Sequence, residues 1–277
     1  MLITGASTGI GHATAVHLDS LGFRVFAGIR RESDGEALRA LCSERLEPVI
    51  LDVTDQDTVR AAAARIDAAS PGGLAGLVNN AGIAVGGPLE FVPLDQLRHQ
   101  LEVNVVGQVA VIQACVEQLR RARGRVVNIG SIGGRNAAPF IGPYSASKFA
   151  LEAITDSLRR ELRPWGIEVA VIEPGAVATP IWDKGVQQAK TQASELPPRA
   201  LDLYGSAMDA LTGLLAQQAG NGIDPQQVAR AVTHALTAKR PRTRYLVGRE
   251  ARMTALMVRV LPDRAMDRLI IKLMRLS

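Results

Sequence analysis

The chain has 277 residues, 47% hydrophobic and 21% charged, which excludes a disordered polymer and leaves room for one large α/β domain or two small ones. Its net charge of +5 is modest, its arginines are spread widely, and it has neither a recognisable module nor interleaved aromatics that would point to nucleic acid. Cys42 and Cys115 are too few for a disulfide framework and read as thiols in a reducing compartment.

In chain order, short apolar stretches rich in β-branched residues alternate with longer helical patterns. Strands are predicted at Leu2–Thr4, Arg24–Ile29, Glu47–Leu51, Gly76–Asn79, Arg125–Ile129, Glu168–Ile172 and Arg244–Val247. Helical patterns fall at 10–21, 33–43, 55–69, 94–121, 144–163 and 225–238, the last opened by the N-cap pair Asp224-Pro225. Strands without period-2 alternation, each followed by a helix, imply a parallel sheet covered on both faces and wound by right-handed crossovers. No repeat or low-complexity linker divides the chain, so one domain is expected.

Two stretches depart from this rhythm. Residues 180–222 form a long insertion of the kind that closes over a site as a lid. The tail from 249 to 277 sets Met266, Leu269, Ile270, Leu273 and Leu276 against Arg264, Arg268, Lys272 and Arg275, an amphipathic pattern. It is expected to pack on the domain or on a partner subunit, with contact to a membrane surface the less favoured alternative. With no cationic leader and no run near the roughly 18 apolar residues of a spanning helix, a cytoplasmic location is expected.

The chain opens "MLITGASTGIGHA", a strand running through Gly5-x-x-x-Gly9-x-Gly11 into a helix. Glycines there let the backbone turn tightly and approach a pyrophosphate at the helix N-terminus. The spacing differs from the usual dinucleotide fingerprint, and by itself it also fits a ligand-free turn. At the end of the second strand, Arg30 and Arg31 stand where a carboxylate would bond the ribose 2′-hydroxyl of NAD. An arginine there suits the 2′-phosphate of NADP, so NADP(H) is favoured, with NAD as the alternative.

Farther on, "YSASK" places Tyr144 and Lys148 four residues apart on one helical face with small residues between them. A phenol beside a fixed cation is made more acidic. His12, His17, His99 and His234 are scattered and match no catalytic or metal-binding motif.

With "TGASTGIG" at 4–11, "LDVTD" at 51–55, "NNAG" at 79–82, Asn104 in "VNVVG", Ser131 in "NIGSIGG", "YSASK" at 144–148 and "EPGAVATP" at 173–180, the chain resembles the short-chain dehydrogenase/reductase family up to about Gly248. The resemblance implies a Rossmann-type doubly wound parallel sheet of seven strands, a single domain over 1–248 with the 180–222 lid, and extra C-terminal helices over 249–277. It assigns Tyr144 as general acid and base, and Lys148 as the cation that tunes it and bonds the nicotinamide ribose. Ser131 would stabilise the substrate oxygen, and Asn104 would hold a relay water. It sets Gly5, Ser7, Thr8, Gly9, Ile10 and Gly11 around the phosphates, Asp52 and Val53 at the adenine, and Asn80, Ala81 and Gly82 at the adenosine. Pro174, Gly175, Val177 and Thr179 would hold the nicotinamide end, while Asn79 reads as a brace between strands.

The apolar lid, the "RYLVG" strand and the C-terminal helices resemble the retinol and 17-beta-hydroxysteroid dehydrogenase-like branch. That implies a lipophilic alcohol, ketone or aldehyde as substrate. Two other classes compete: a nucleotide-sugar epimerase or dehydratase, whose relatives are longer with another glycine spacing, and a non-catalytic cofactor sensor, which commonly lacks the Tyr/Lys pair. The family also implies a homodimer or homotetramer formed through the helices carrying Asn104 and Tyr144.

Overall fold

Leu2 and Ile3 make up the whole of the first strand, and both are fully buried. Their side chains leave on opposite faces of the sheet, Ile3 into one apolar core and Leu2 into the other, as a pleated strand requires. The computed structural model describes residues 1–179 and 197–273, with the backbone alone for 211, 212 and 214–221.

Seven strands form one parallel sheet: β1 Leu2–Ile3, β2 Val25–Ile29, β3 Leu46–Ile50, β4 Gly76–Asn79, β5 Arg125–Ile129, β6 Glu168–Pro174 and β7 Arg244–Val247. Their order is β3-β2-β1-β4-β5-β6-β7, so the winding direction reverses between β1 and β4. A crevice opens at such a switch point, beyond the carboxyl ends of the strands.

The helices are α1 Gly9–Ser20, α2 Glu32–Arg39, α3 Gln56–Ala69, α4 Leu94–Leu101, α5 Gly107–Ala122, α6 Gly142–Glu161, α7 Pro198–Asn221, α8 Pro225–Thr237, α9 Arg249–Val260 and α10 Asp263–Leu273. One face of the sheet is covered from α1, α2 and α8 by Ala15, Leu18, Leu38, Val228 and Val232. The other is covered from α3 and α5 by Val59, Ile66, Val111, Ile112 and Leu119. Burying each Leu or Ile contributes about 1.5–3 kcal/mol, which is why strands of four or five residues suffice. Asp55 caps α3 by accepting from the backbone N–H of Asp57 at 2.9 Å, and Asp224 caps α8 through Gln226 N–H at 2.8 Å.

One predicted element differs. The pattern at 94–121 is not one helix: a π-helical turn, Glu102–Val106, separates α4 from α5. The tail forms two helices, parted at Leu261-Pro262, where proline cannot donate to the preceding turn. Only Ala251 and Met266 of these two helices are buried.

Much of the predicted lid, 180–196, lies outside the described residues; its later part is α7. The two ends of the insertion are fastened together by a parallel bridge between Val177 and Ile223. In α7, the Tyr204 hydroxyl donates to Glu90 Oε2 at 2.9 Å, and its ring meets Phe91 and Phe140 edge-on. No described helix is long and apolar enough to cross a membrane.

Candidate active site

The turn from β1 into α1 takes its shape from two glycines with positive φ, Gly5 at 63° and Gly9 at 60°. Asn80, just past β4, holds it closed: its side-chain amide donates to the carbonyls of Thr4 at 2.9 Å and Gly5 at 3.0 Å. Thr4 reciprocates, its hydroxyl accepting from the backbone N–H of Asn80 and Ala81. No side chain caps the first turn of α1, and no acidic residue lies in it. The amides there are therefore free to meet an anion.

This turn forms one end of a cleft of about 250 Å³ at the switch point. Of the sequence-predicted residues, Gly5, Ser7, Thr8, Gly9 and Ile10 line it at the turn, and Arg30, Asp52, Val53, Asn80, Ala81 and Gly82 line it past β2, β3 and β4. Pro174, Gly175, Val177 and Thr179 close the far end, beside Ser131, Tyr144 and Lys148. Two predicted residues do not line it. A Cβ on Gly11 would stand 2.3 Å from the Gly5 carbonyl oxygen, so this glycine packs α1 beneath the turn. Asn104 lies one layer behind the cleft, in the π turn.

Arg30 is exposed at the rim, and Arg31 pairs with Asp34 at 3.4 Å. Burial alone would raise the Asp52 carboxyl, but bonds from the Thr54 N–H and hydroxyl and the charges of Arg30 and His99 outweigh it, holding the group below its usual range.

At the other end, the backbone N–H of Gly133 donates to Ser131 Oγ at 3.0 Å and fixes that hydroxyl. Tyr144 and Lys148 project from the first turns of α6, and the Lys148 ammonium donates to the Ile129 carbonyl at 2.8 Å. Burial lowers Lys148 to about 8, an effect the Glu152 carboxylate opposes.

The expectation of a more acidic Tyr144 is reversed in this structure. Burial raises the phenol above its ordinary value, and a hydrogen bond with Ser131 only partly offsets this. Lys148 Nζ stands 5.7 Å from the Tyr144 ring centroid, anchored to Ile129 rather than to the hydroxyl.

Asn104 clamps the backbone of Ile83, accepting from its N–H at 2.9 Å and donating to its carbonyl at 3.0 Å. Its amide also donates to Ser147 Oγ, which in turn donates to the Tyr144 carbonyl at 2.7 Å. The π turn is what aims Asn104 sideways between the β4 loop and α6. Asn79 donates to Asn128 Oδ1 across β4 and β5 at 3.1 Å, the brace the sequence suggested.

Sequence reasoning missed His99 and Val103, which line the cleft from i, i+4 positions, and Leu51, Thr54, Ile83 and Gly130 in loops after strands. The i, i+4 spacing was a usable signal for the first pair. His234 does not belong to the site; its ring is bonded to the Tyr245 hydroxyl at 2.9 Å and ties α8 to β7. Among the described residues no cluster of His, Cys, Asp or Glu is arranged to hold a metal.

A cleft at the reversal of a doubly wound parallel sheet, with a glycine turn at one end and a tyrosine, lysine and serine at the other, defines a Rossmann-type oxidoreductase. The family model described as short chain dehydrogenase matches residues 1–190, and the chain belongs to that family.

Among its relatives, retinol dehydrogenase 5 of Mus musculus is 39% identical, over 96% of this chain and 86% of the relative. An NADPH-dependent 3-dehydrocapnine reductase of Ornithobacterium rhinotracheale is 35% identical, over 98% and 95%. A solved short chain dehydrogenase/reductase from Burkholderia phymatum, in complex with NAD, superposes with a TM-score of 0.77 at 26% identity, over 94% of this chain and 91% of that one. Within the family, the chain falls with the retinol and hydroxysteroid dehydrogenase branch.

Proposed function

We propose that this protein is an NADP(H)-dependent oxidoreductase acting between a lipophilic secondary alcohol and its ketone, or an alcohol and its aldehyde. The observation that carries the reading is the meeting of Ser131, Tyr144 and Lys148 at one end of a cleft whose other end is the glycine turn. Uncapped amides at the α1 N-terminus suit the cofactor pyrophosphate, and exposed Arg30 beside Asp52 suits a 2′-phosphate better than a bare ribose hydroxyl. The NADPH-dependent relative supports that preference; the NAD-bound neighbour keeps NAD as the alternative.

The bound nicotinamide supplies or accepts the hydride. In reduction, the Tyr144 O–H bond breaks and its proton passes to the substrate carbonyl oxygen; in oxidation the proton returns from the alcohol. Ser131, pre-set by the Gly133 amide, donates to the same oxygen and stabilises charge developing on it. Ser131 partly offsets the burial that disfavours a Tyr144 phenolate, and Lys148 would bond the nicotinamide ribose. Asn104 holds the Ile83 loop and α6 in register.

The substrate class is supported by the retinol-dehydrogenase relative and by the aromatic group that Tyr204 of α7 forms with Phe91 and Phe140. A homodimer or homotetramer through the helices around Asn104 and Tyr144 is supported by Val106 and Phe149, exposed there at 47% and 44%.

The reading is tested by following NADPH consumption across ketones and aldehydes from small polar compounds to steroids and retinal, with NADH in parallel. Turnover confined to large apolar carbonyls and lost by roughly 10²-fold or more in Tyr144→Phe, with NADPH binding kept, is expected. A full rate in Tyr144→Phe sinks the mechanism, and an NADH preference that persists in Arg30→Ala sinks the cofactor assignment.

A further inference from the structure

Behind Lys148 lies a charged group that the chemistry above does not use. Glu152 follows Lys148 by four residues on α6, so Tyr144, Lys148 and Glu152 occupy one helical face. Its side chain is 12% exposed, and that of Glu173, at the end of β6, is 0% exposed.

One arginine holds both carboxylates. Arg244 of β7 bonds Glu152 Oε2 at 3.2 Å and lies 3.4 Å from Glu173 Oε1. Arg135, after the Ser131 turn, donates to the same Glu173 oxygen at 2.7 Å. Asp156, one turn beyond Glu152, accepts from Arg244 at 2.8 Å and pairs with Arg159.

Each acid nevertheless keeps one buried oxygen without a hydrogen-bond partner, Glu152 Oε1 and Glu173 Oε2. Buried carboxylate oxygens are rarely left so. A Cβ on Gly130 would stand 3.3 Å from Glu152 Oε1, and Gly130 follows Ile129, whose carbonyl anchors the Lys148 ammonium. Glycine at 130 and 134 is what lets Glu152 come this close, since a Cβ on Gly134 would meet the Glu152 side chain at 3.3 Å.

We propose that Glu152 is a positioning residue for the reaction: its carboxylate holds Lys148 as the ammonium beneath Tyr144. The inference rests on the reading of Tyr144 and Lys148 given above. The groups facing Glu152 act in opposite directions. Glu173 repels its charge, whereas Arg135, Arg244 and Lys148 favour it. Burial and Glu173 together raise Glu152 to about 7 against the two arginines, so Glu152 responds to pH near neutrality. Asp156, one turn on along α6, is held by Arg244 and Arg159.

With Glu152 at about 7 and Lys148 at about 8, the acid is already ionised where Lys148 gives up its proton, so neutralising Glu152 removes the charge that favours the ammonium.

The test is NADPH binding to the full chain, followed by nucleotide fluorescence between pH 6 and 10, in the wild type, Glu152→Gln and Lys148→Met. The wild type should lose affinity through one midpoint as Lys148 gives up its proton. In Glu152→Gln that midpoint should fall by roughly one pH unit. Restoring a carboxylate with Glu152→Asp should recover part of the shift. A purely structural role would instead lower affinity alike at every pH.

A midpoint abolished in Lys148→Met but unmoved in Glu152→Gln overturns the inference alone. One that survives in Lys148→Met overturns the reading of Lys148 and the inference with it. If Glu152→Gln does not fold, Glu152→Asp decides: its shorter side chain draws the carboxylate away from Lys148, and an unmoved midpoint there overturns the proposal.

Discussion

A glycine can belong to a cofactor motif without meeting the cofactor cleft. Gly11 was legible as part of the opening signature, but its task became visible only when β1, α1 and β4 came together: a Cβ there would reach within 2.4 Å of Asn80 Nδ2 as well as the Gly5 carbonyl. Gly11→Ala is therefore expected to cost about 1–3 kcal/mol through overpacking and to disturb the turn. Thermal unfolding should show a lowered Tm and fluorescence titration a weakened NADPH affinity; a variant with both unchanged would refute this account.

Ser131 is the opposite case: it lines the cleft as its motif suggested, but the Gly133 amide that fixes its hydroxyl belongs to a turn no pattern predicts. Ser131→Ala should lower kcat by about 10²-fold while leaving NADPH affinity intact, since the role proposed for the hydroxyl is on the substrate oxygen.

At the scale of elements, helices and strands were legible wherever one face of a regular period is buried. The π turn at Glu102–Val106 was not, because one extra residue in a turn barely disturbs an apolar pattern running from 94 to 121. Its effect is nevertheless large, for it turns Asn104 out of the helix and onto Ile83 and Ser147. Asn104→Ala would leave the Ile83 N–H and carbonyl without their partner, at a cost of about 1–3 kcal/mol. We expect a lower Tm, with faster hydrogen exchange at the Ile83 and Val85 amides; unchanged exchange there would show that the π turn is not what holds the loop. Gln100, one turn earlier, also holds this loop, accepting from the Val85 N–H at 2.6 Å, so partial rather than complete loosening is predicted.

For the whole molecule, the acids buried near the β6–β7 edge give stability a dependence on pH. The folded state keeps the Glu152 proton up to about 7, whereas its ordinary value is 4.5, so the group stabilises the fold at low pH and loses that contribution as pH rises toward 7. Lys148 works in another window: lowered to about 8 from 10.5, it opposes folding below 8 and ceases to do so as pH climbs toward its ordinary value. The Tm of wild type relative to Glu152→Gln should accordingly fall between pH 5 and 7, and scanning calorimetry across that range would check it. A constant difference would mean that Glu152 has no raised value in the folded state.

By itself the sequence determined the winding of the sheet, the glycine turn and the placing of Tyr144 and Lys148 on one helical face. These depend on short-range matters that a chain states openly: which positions are apolar, where glycine permits a turn, and which residues lie four apart on a helix. Tertiary structure alone decided which members of each motif face the cleft, that Lys148 is anchored to Ile129, and that burial leaves Tyr144 less acidic than its neighbour suggested. It also brought Glu152, Glu173, Arg135 and Arg244 together from α6, β6, the Ser131 turn and β7. Desolvation and long-range charge pairing set those properties, and both depend on residues far apart in sequence that meet only when the sheet is complete.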